Sequence, residues 1–269
     1  MDLDKDGVKV LKNIFSMQDI EIFRNIYFTS WNEIKNNYPL KWNTINYKLT
    51  CYKYDNFIGM DLYSGKHYCN YKDSVIFNMG KNRFDFTYNL DTLKDKIILP
   101  KTITSLLQNK LNCEYDYYYG GLPVEMIMNE DINEDINEDI NNINGYWHRD
   151  AYSLFNNEKV DLSLPPFYYT MLIPLDHVDA YSGGTEFILG SHKTNLSEMN
   201  ITTNKQLCEW INKNNDIQYV PELNIGDICI FHGYTIHRGL FNHANTNRNM
   251  IYCVFKKNWY NDEPIENYL

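Results

Sequence analysis

The sequence predicts a mainly β protein, a sandwich or barrel core entered through a helical N-terminal portion. Two observations carry this. From Cys113 onward, short apolar runs (Tyr115–Tyr119, Phe167–Leu175, Thr185–Leu189, Asp227–Phe231 and Met250–Phe255) alternate with clusters of Gly, Pro, Asn and Asp, the pattern of many short strands joined by turns. Before Cys113, apolar residues recur at helical spacing.

In order along the chain, Val8, Val10 and Leu11 predict a short first strand. Ser16 is placed to cap a helix of about 20 residues, with Ile20, Phe23, Ile26, Tyr27, Trp31 and Ile34 on its apolar face and Pro39 just beyond its end. Residues 40–95 are mixed and Tyr-rich and carry no clear period. Pro100 opens a second helix through Ile103, Leu106, Leu107 and Leu111. Residues 129–140 read Asn-Glu-Asp-Ile three times, followed by Asn141-Asn142-Ile143-Asn144. The isoleucines would line one helix face, but Asn and Asp are poor helix formers. The 129–144 tract therefore reads as a solvated low-complexity insertion within a single domain spanning 1–269.

Composition narrows the class. With 43% hydrophobic and 22% charged residues, the chain has ordinary globular usage. Twenty-five Lys+Arg against 35 Asp+Glu give a net charge of −10, which lacks the basic footprint of a general nucleic-acid binder. The six cysteines lie far apart and form no C-x-x-C pair, and Met1-Asp2-Leu3-Asp4-Lys5-Asp6 is charged rather than signal-like. Reduced thiols in a cytoplasmic protein are expected. No run approaches the roughly 18 apolar residues of a membrane span.

The chemistry centres on Trp147-His148-Arg149-Asp150. Alternate side chains on a strand share a face, so His148 and Asp150 point together and Arg149 points away. One imidazole and one carboxylate, completed by a second histidine, make a 2-His-1-carboxylate facial triad, which leaves coordination positions open and is diagnostic of non-haem iron(II) oxygenases. H-x-D alone is weak evidence. His-Arg-Asp also occurs in the kinase catalytic loop, but the Asn expected five positions after the Asp is Phe155, and no Gly-rich loop or D-F-G is present. The third ligand is sought in Phe231-His232-Gly233-Tyr234-Thr235-Ile236-His237-Arg238-Gly239. Arg248 follows His237 by eleven residues, across the turn-like Asn242–Asn247. If that stretch joins two antiparallel strands, His237 and Arg248 fall nearly opposite each other. A dicarboxylate chelating the metal would then meet a guanidinium at its far end. This relation favours His237 over its neighbour His232.

Taken together, His148-Arg149-Asp150, Gly183-Gly184-Thr185-Glu186-Phe187-Ile188-Leu189-Gly190-Ser191-His192-Lys193, Gly226-Asp227, and His237 with Arg248 resemble the phytanoyl-CoA dioxygenase family. The resemblance extends to Val8–Asn37 and fits residues 40–95 and 129–144 least. It implies a double-stranded β-helix (jelly roll) core with N-terminal and flanking helices. It implies His148, Asp150 and His237 as ligands of iron(II), Arg248 as the 2-oxoglutarate carboxylate clamp, and O2 as co-reactant. The activity implied is a dioxygenase that hydroxylates a small organic or acyl substrate and releases succinate and CO2. Three positions depart from the family pattern. Gly239 stands where many members carry a serine that supports the co-substrate, Leu172 lies near a position often held by tryptophan, and Leu189 replaces the usual proline of the P-G-S-H turn. These keep open a jelly-roll metal protein with 2-oxoglutarate-independent activity or a metal-dependent binding role. Asp150 argues against halogenation, because related halogenases lack the carboxylate.

The other candidates have plainer readings. His177 and His192 flank the Gly-Gly turn as turn or supporting residues, and His243 faces solvent. Gly183-Gly184 permits a tight turn. Tyr115, Tyr117, Tyr118 and Tyr119 are read as strand packing, with one face of that strand an alternative pocket lining. Arg149 is read as exposed or ion-paired, and Trp147 and Trp259 as core or rim aromatics.

Overall fold

The computed structural model describes residues 1–37, 43–46, 64–71, 74–80, 83–87, 95–124, 144–145, 147–151, 154–155 and 157–260. Pro39, Cys51 and the expected insertion, apart from Asn144, lie outside the described residues.

Helix α1 (Leu3–Asp6) and strand β1 (Val8–Leu11) precede the long helix α2 (Met17–Asn37). Ser16 starts α2 as its sequence predicts. The Ser16 hydroxyl accepts the Asp19 N–H at 3.2 Å, and the Asp19 carboxylate accepts the Ser16 N–H at 2.9 Å. This reciprocal cap satisfies donors that the first turn leaves unpaired. Ile20, Phe23, Tyr27 and Trp31 are buried in the core, their spacing of three and four placing them on one helix face. Helix α3 (Lys101–Leu111) follows Pro100 and buries Ile103, Leu107 and Leu111. It ends at Asn112, whose left-handed backbone (φ 52°) lets its N–H reach the Gln108 carbonyl at 2.9 Å.

Strands β2 (Asn43–Asn46), β3 (Ser64–Tyr71), β4 (Ser74–Gly80) and β5 (Arg83–Thr87) fall in the region whose sequence carries no clear period. They extend one side of a larger sheet that also contains β6 (Tyr115–Val124) and β7 (Tyr168–Pro174). After β8 (Thr185–Ile188) and β9 (Gln218–Tyr219), β10 (Ile228–His232) returns to that sheet. β11 (His237–Gly239) and β12 (Arg248–Lys257) complete the set. The nine-stranded antiparallel sheet has the order β1-β10-β7-β12-β6-β5-β4-β3-β2, and the smaller sheet has the order β11-β8-β9. Facing each other, they make the jelly-roll core. Two further helices, α4 (Glu158–Ser163) and α5 (Asn204–Lys213), flank it. Among the described residues no helix is long and apolar enough to cross a membrane.

Strand alternation sorts the apolar residues into layers. On β12, Ile251, Cys253 and Phe255 pack under α2 and α3, whereas Met250, Tyr252 and Val254 join the cluster between the sheets. On β7, Tyr169, Met171 and Ile173 take the helix side, and Tyr168 and Leu172 the inter-sheet side. The outer layer is tight at Gly121 of β6. A Cβ there would lie 2.4 Å from the Phe86 ring and 3.0 Å from that of Tyr27.

The expected hairpin between His237 and Arg248 is corrected by the topology. β11 pairs with β8 in the smaller sheet, whereas β12 pairs with β6 and β7 in the larger one. The intervening segment is held by the Gly183-Gly184 turn instead, with Leu240 N–H donating to the Gly184 carbonyl at 2.9 Å and His243 N–H to that of Tyr181 at 2.9 Å. Gly183 has φ +82°, and a Cβ on it would crowd the Leu240 carbonyl at 3.0 Å. The chain thus crosses from one sheet to the other, and the two residues belong to opposite walls.

The N-terminal segment closes the back of the loop between β10 and β11. Thr235 Oγ1 donates to the Gly7 carbonyl at 3.0 Å, His232 N–H donates to it at 2.9 Å, and His192 Nε2 lies 3.1 Å from the Asp4 carbonyl. His232 is buried there, its Nδ1 accepting the Tyr234 N–H at 3.0 Å. Burial, followed by the neighbouring His192 and Arg149, pushes its pKa down to about 3.

Two outcomes follow from this packing. Gly121→Ala overpacks the layer under α2 and is expected to cost about 1–3 kcal/mol, read as a lower denaturant midpoint at unchanged slope. His232 stays neutral in the fold at pH values where the unfolded chain protonates it. The unfolded state therefore binds the extra proton, and stability falls as pH drops below about 6.5 toward about 3. By pH 5 this contributes a loss of about 2 kcal/mol. His232→Asn should flatten the acid limb of stability against pH, measured by denaturation at pH 7 and pH 5.

Candidate metal centre

His148 sits beside β11 in a two-hydrogen-bond bridge: its N–H donates to the His237 carbonyl at 2.9 Å, and the His237 N–H donates to its carbonyl at 3.0 Å. Two residues on, the N–H groups of Asp150 and Ala151 both donate to the Gly233 carbonyl, at 2.9 and 3.0 Å. Gly233 has no room for a side chain, since a Cβ would meet the Tyr168 ring at 2.6 Å and Ala151 at 2.8 Å. The bridge at His148 and the bend at Asp150 bring these two side chains together, as the H-x-D spacing predicts, and both to His237. Ligand-capable atoms of the three residues lie within 4.8 Å of one another. Asp150 Oδ1 is 3.3 Å from His237 Nε2 and 3.6 Å from His148 Nε2.

The surroundings point those atoms inward. His237 Nδ1 is 2.9 Å from the Thr235 carbonyl. A hydrogen on Nδ1 satisfies that carbonyl and leaves the Nε2 lone pair for a metal. Thr170 Oγ1 donates to Asp150 Oδ2 at 2.6 Å, so Oδ1 is the oxygen left facing the two imidazoles. Burial pushes the Asp150 carboxyl up, but His237, His148 and the Thr170 hydroxyl outweigh it and hold the group near 2. Burial pulls His237 down, and Asp150 together with the Thr235 carbonyl raises it overall. Two imidazoles and a carboxylate sharing one small space fit a divalent cation of borderline hardness. Phe187 and Phe231, with ring centroids 5.8 and 4.7 Å from that of His237, wall it from the core.

Arg149 points away from the ligands and is ion-paired. It donates to Glu158 at 2.7 Å and to the Ser191 and Thr194 carbonyls at 3.2 and 2.9 Å. Glu158 in turn accepts from the Ser197 N–H at 2.7 Å and its hydroxyl at 2.8 Å. The ligand segment is thereby tied to α4 and to the turn after β8.

Arg248 starts β12 on the side shared by Met250, Tyr252 and Val254, facing the inter-sheet space. It is buried, donates one N–H to the Leu122 carbonyl at 3.1 Å, and leaves its Nε without a hydrogen-bond partner. Arg83 on β5 is a second cation here that the sequence reading missed. Arg83 and Arg248 both pair with Val124 of the strand between them, so the three residues form one row on the same face. The Arg83 guanidinium reaches the Gly239 carbonyl at 3.0 Å and the Leu240 carbonyl as well. Burial lowers Arg83 to about 10, and burial followed by the nearby Arg83 lowers Arg248 to about 9. Gly239 gains a steric reason: a Cβ there would lie 2.8 Å from the Arg83 guanidinium nitrogens.

The remaining candidates separate cleanly. The His232 and His192 rings lie 5.3 Å apart, tilted by 39°, on the N-terminal side and outside the ligand cluster. His177 is exposed beside Asp179, and His243 stacks on Tyr181. The side chain of His67 lies outside the described residues. Trp147 is buried under the Arg238 guanidinium at 4.3 Å, and Trp259 is an exposed rim residue. Of the β6 tyrosines, Tyr115, Tyr117 and Tyr119 take the helix side and Tyr118 the inter-sheet side. The Tyr118 hydroxyl is 3.3 Å from that of Tyr168.

The chain is similar to known proteins in both sequence pattern and fold. EvdO2 from Micromonospora carbonacea var. aurantiaca, solved with 2-oxoglutarate, is 11% identical, with a TM-score of 0.55 over 98% of this chain and 93% of that one. HygX from Streptomyces hygroscopicus, solved with nickel, 2-oxoglutarate and hygromycin B, is 11% identical, with a TM-score of 0.52 over 97% and 86%. The non-heme alpha ketoglutarate dependent epimerase SnoN from nogalamycin biosynthesis is 12% identical, with a TM-score of 0.52 over 95% and 79%. At these identities the likeness establishes a shared fold. No curated protein sequence matches the chain. The family model for phytanoyl-CoA dioxygenase (PhyH) matches residues 81–250, a span that runs from the start of β5 through the ligand cluster to Arg248, and the chain belongs to that family.

Proposed function

We propose that the chain is an iron(II)- and 2-oxoglutarate-dependent dioxygenase that hydroxylates a small organic or acyl substrate. The observation that carries the reading is the pairing of the convergent His148, Asp150 and His237 with a buried guanidinium at Arg248 that forms no ion pair with a carboxylate among the described residues. His148, Asp150 and His237 hold the metal. Arg248 grips the distal carboxylate of 2-oxoglutarate through charge-assisted hydrogen bonds. Iron(II), when bound, supplies the coupling of dioxygen to oxidative decarboxylation: 2-oxoglutarate, O2 and a substrate C–H become succinate, CO2 and a substrate C–OH.

The protein contributes orientation and exclusion of water. Thr170 holds one oxygen of Asp150, and the Thr235 carbonyl sets the orientation of the His237 ring. Tyr118 and Tyr168 bring a hydroxyl pair to the inner wall two residues from Thr170 along β7. A small-molecule substrate is supported by HygX, which was solved with hygromycin B. The chain acts as one oxygenase domain over 1–269, a reading supported by structural neighbours that cover 95% or more of it. A cytoplasmic setting is supported by the free thiols of Cys113 and Cys229.

The purified protein should convert 2-oxoglutarate to succinate in a reaction requiring both iron(II) and O2. His237→Ala is expected to lower the rate by at least about a hundredfold, because a ligand is lost outright. No iron-dependent succinate above background from the wild type, with candidate substrates supplied, would sink the proposal. Arg248→Ala should weaken 2-oxoglutarate binding by about ten- to a hundredfold; an unchanged affinity would remove the clamp assignment.

A further inference from the structure

We propose that Arg83 is a second cation of the co-substrate site, gripping the distal carboxylate together with Arg248. The inference rests on the reading of this centre as a 2-oxoglutarate site.

The two arginines are placed side by side. Arg83 and Arg248 flank Val124 across three adjacent strands and share its face. Neighbouring strands lie about 4.8 Å apart, so the two backbones are roughly 10 Å apart with both side chains rising into the inter-sheet space. The Arg83 head crosses that space to the Gly239 and Leu240 carbonyls. Gly239 is only two residues beyond His237 on the same strand. The guanidinium therefore ends near the metal ligand's own strand, on the side toward Arg248.

Both arginines also have unspent donor capacity. A guanidinium carries five N–H donors. Arg83 uses two groups on main-chain carbonyls, Arg248 uses one, and Arg248 Nε has no partner at all. Among the described residues neither arginine forms an ion pair with a carboxylate. Fastening β5 to β11 requires only neutral donors. Placing one buried full charge beside another, with neither ion-paired among the described residues, is unfavourable until an anion arrives.

Two glycines leave a slot for the Arg83 guanidinium. A Cβ at Gly239 would meet the Arg83 guanidinium at 2.8 Å, and a Cβ at Gly145 would meet it at 2.6 Å. Gly145 N–H donates to the Gly239 carbonyl at 2.8 Å, holding the two glycines together. The main chain on both sides is bare where the guanidinium lies, and Arg83 takes the volume that a side chain at 239 would fill.

The test is calorimetric titration of 2-oxoglutarate into the full-length, iron(II)-loaded protein under anaerobic conditions. It compares wild type, Arg83→Met, Arg83→Lys and Arg248→Ala, with the thermal midpoint of each. The expected result is a dissociation constant raised about ten- to a hundredfold in Arg83→Met, largely recovered in Arg83→Lys, with iron affinity unchanged. Wild-type affinity in Arg83→Met, alongside a loss in Arg248→Ala, would overturn the assignment while leaving the co-substrate site standing. Equal weakening in Arg83→Met and Arg83→Lys, together with a lowered thermal midpoint, would mean that Arg83 only fastens β5 to β11, and would overturn it too. A wild type that takes up iron but not 2-oxoglutarate would remove the site reading itself, and this inference with it.

Discussion

The contact between Asp150 and His237 is where the two sheets are made to agree. Asp150 is tied to the larger sheet through the Thr170 hydroxyl at 2.6 Å, whereas His237 belongs to the smaller sheet through its pairing with Phe187. Their 3.3 Å approach therefore fixes the gap between the walls at one end of the barrel. Much else serves that gap. The bridge of His148 to His237, the bare main chain at Gly233, and the Arg149–Glu158 pair behind the ligand segment all hold the short stretch 148–151 in place. The N-terminal segment supports the opposite side, fastening Thr235 and His232 from behind.

Charge is distributed unevenly along the barrel. The Asp150 carboxylate lies among two imidazoles at one end, and at the other lie two guanidiniums, neither ion-paired with a carboxylate among the described residues. Left alone, the arginine pair is an electrostatic cost that a fold of marginal stability has to carry, since burial lowers the pKa of both and Arg83 lowers that of Arg248 further. In the proposed reading, a divalent cation is held by the first cluster and the far carboxylate of a chelating dicarboxylate meets the second. One molecule bridging both would couple the two ends.

How legible this was depends on the residue. His148 and Asp150 were readable as a pair because strand parity is a local rule, and their side chains do come together although the chain bends at Asp150 and Ala151. His237 was selected through its eleven-residue relation to Arg248, and the two do face one space. The hairpin offered as the reason was wrong: β11 and β12 lie in different sheets, and a spacing that suggests neighbours on one wall places them on opposing walls. The β12, β7 and β10 strands read easily because both of their faces are apolar. By contrast β5, Arg-Phe-Asp-Phe-Thr, carries Arg83 and Asp85 on the face opposite to Phe84 and Phe86. Its alternation is sound but short, and its polar face turns into the barrel, so it looks like an exposed edge and Arg83 looks like a surface residue. Thr170 sits unmarked inside an apolar run, and only the folded distance to Asp150 gives it a role. Gly239 read as a departure from the family pattern until the Arg83 guanidinium was found in the space beside it.

If the ends of the barrel are joined by one chelating molecule, metal and dicarboxylate must strengthen each other's binding by the same factor, since coupling between two ligands is reciprocal. The direct measurement is the iron(II) affinity of the protein with and without saturating 2-oxoglutarate, set beside the 2-oxoglutarate affinity with and without iron(II), all under anaerobic conditions. The account predicts equal enhancements of at least about tenfold. Affinities that are independent of each other would show that the triad and the arginines serve separate ligands, and would contradict it.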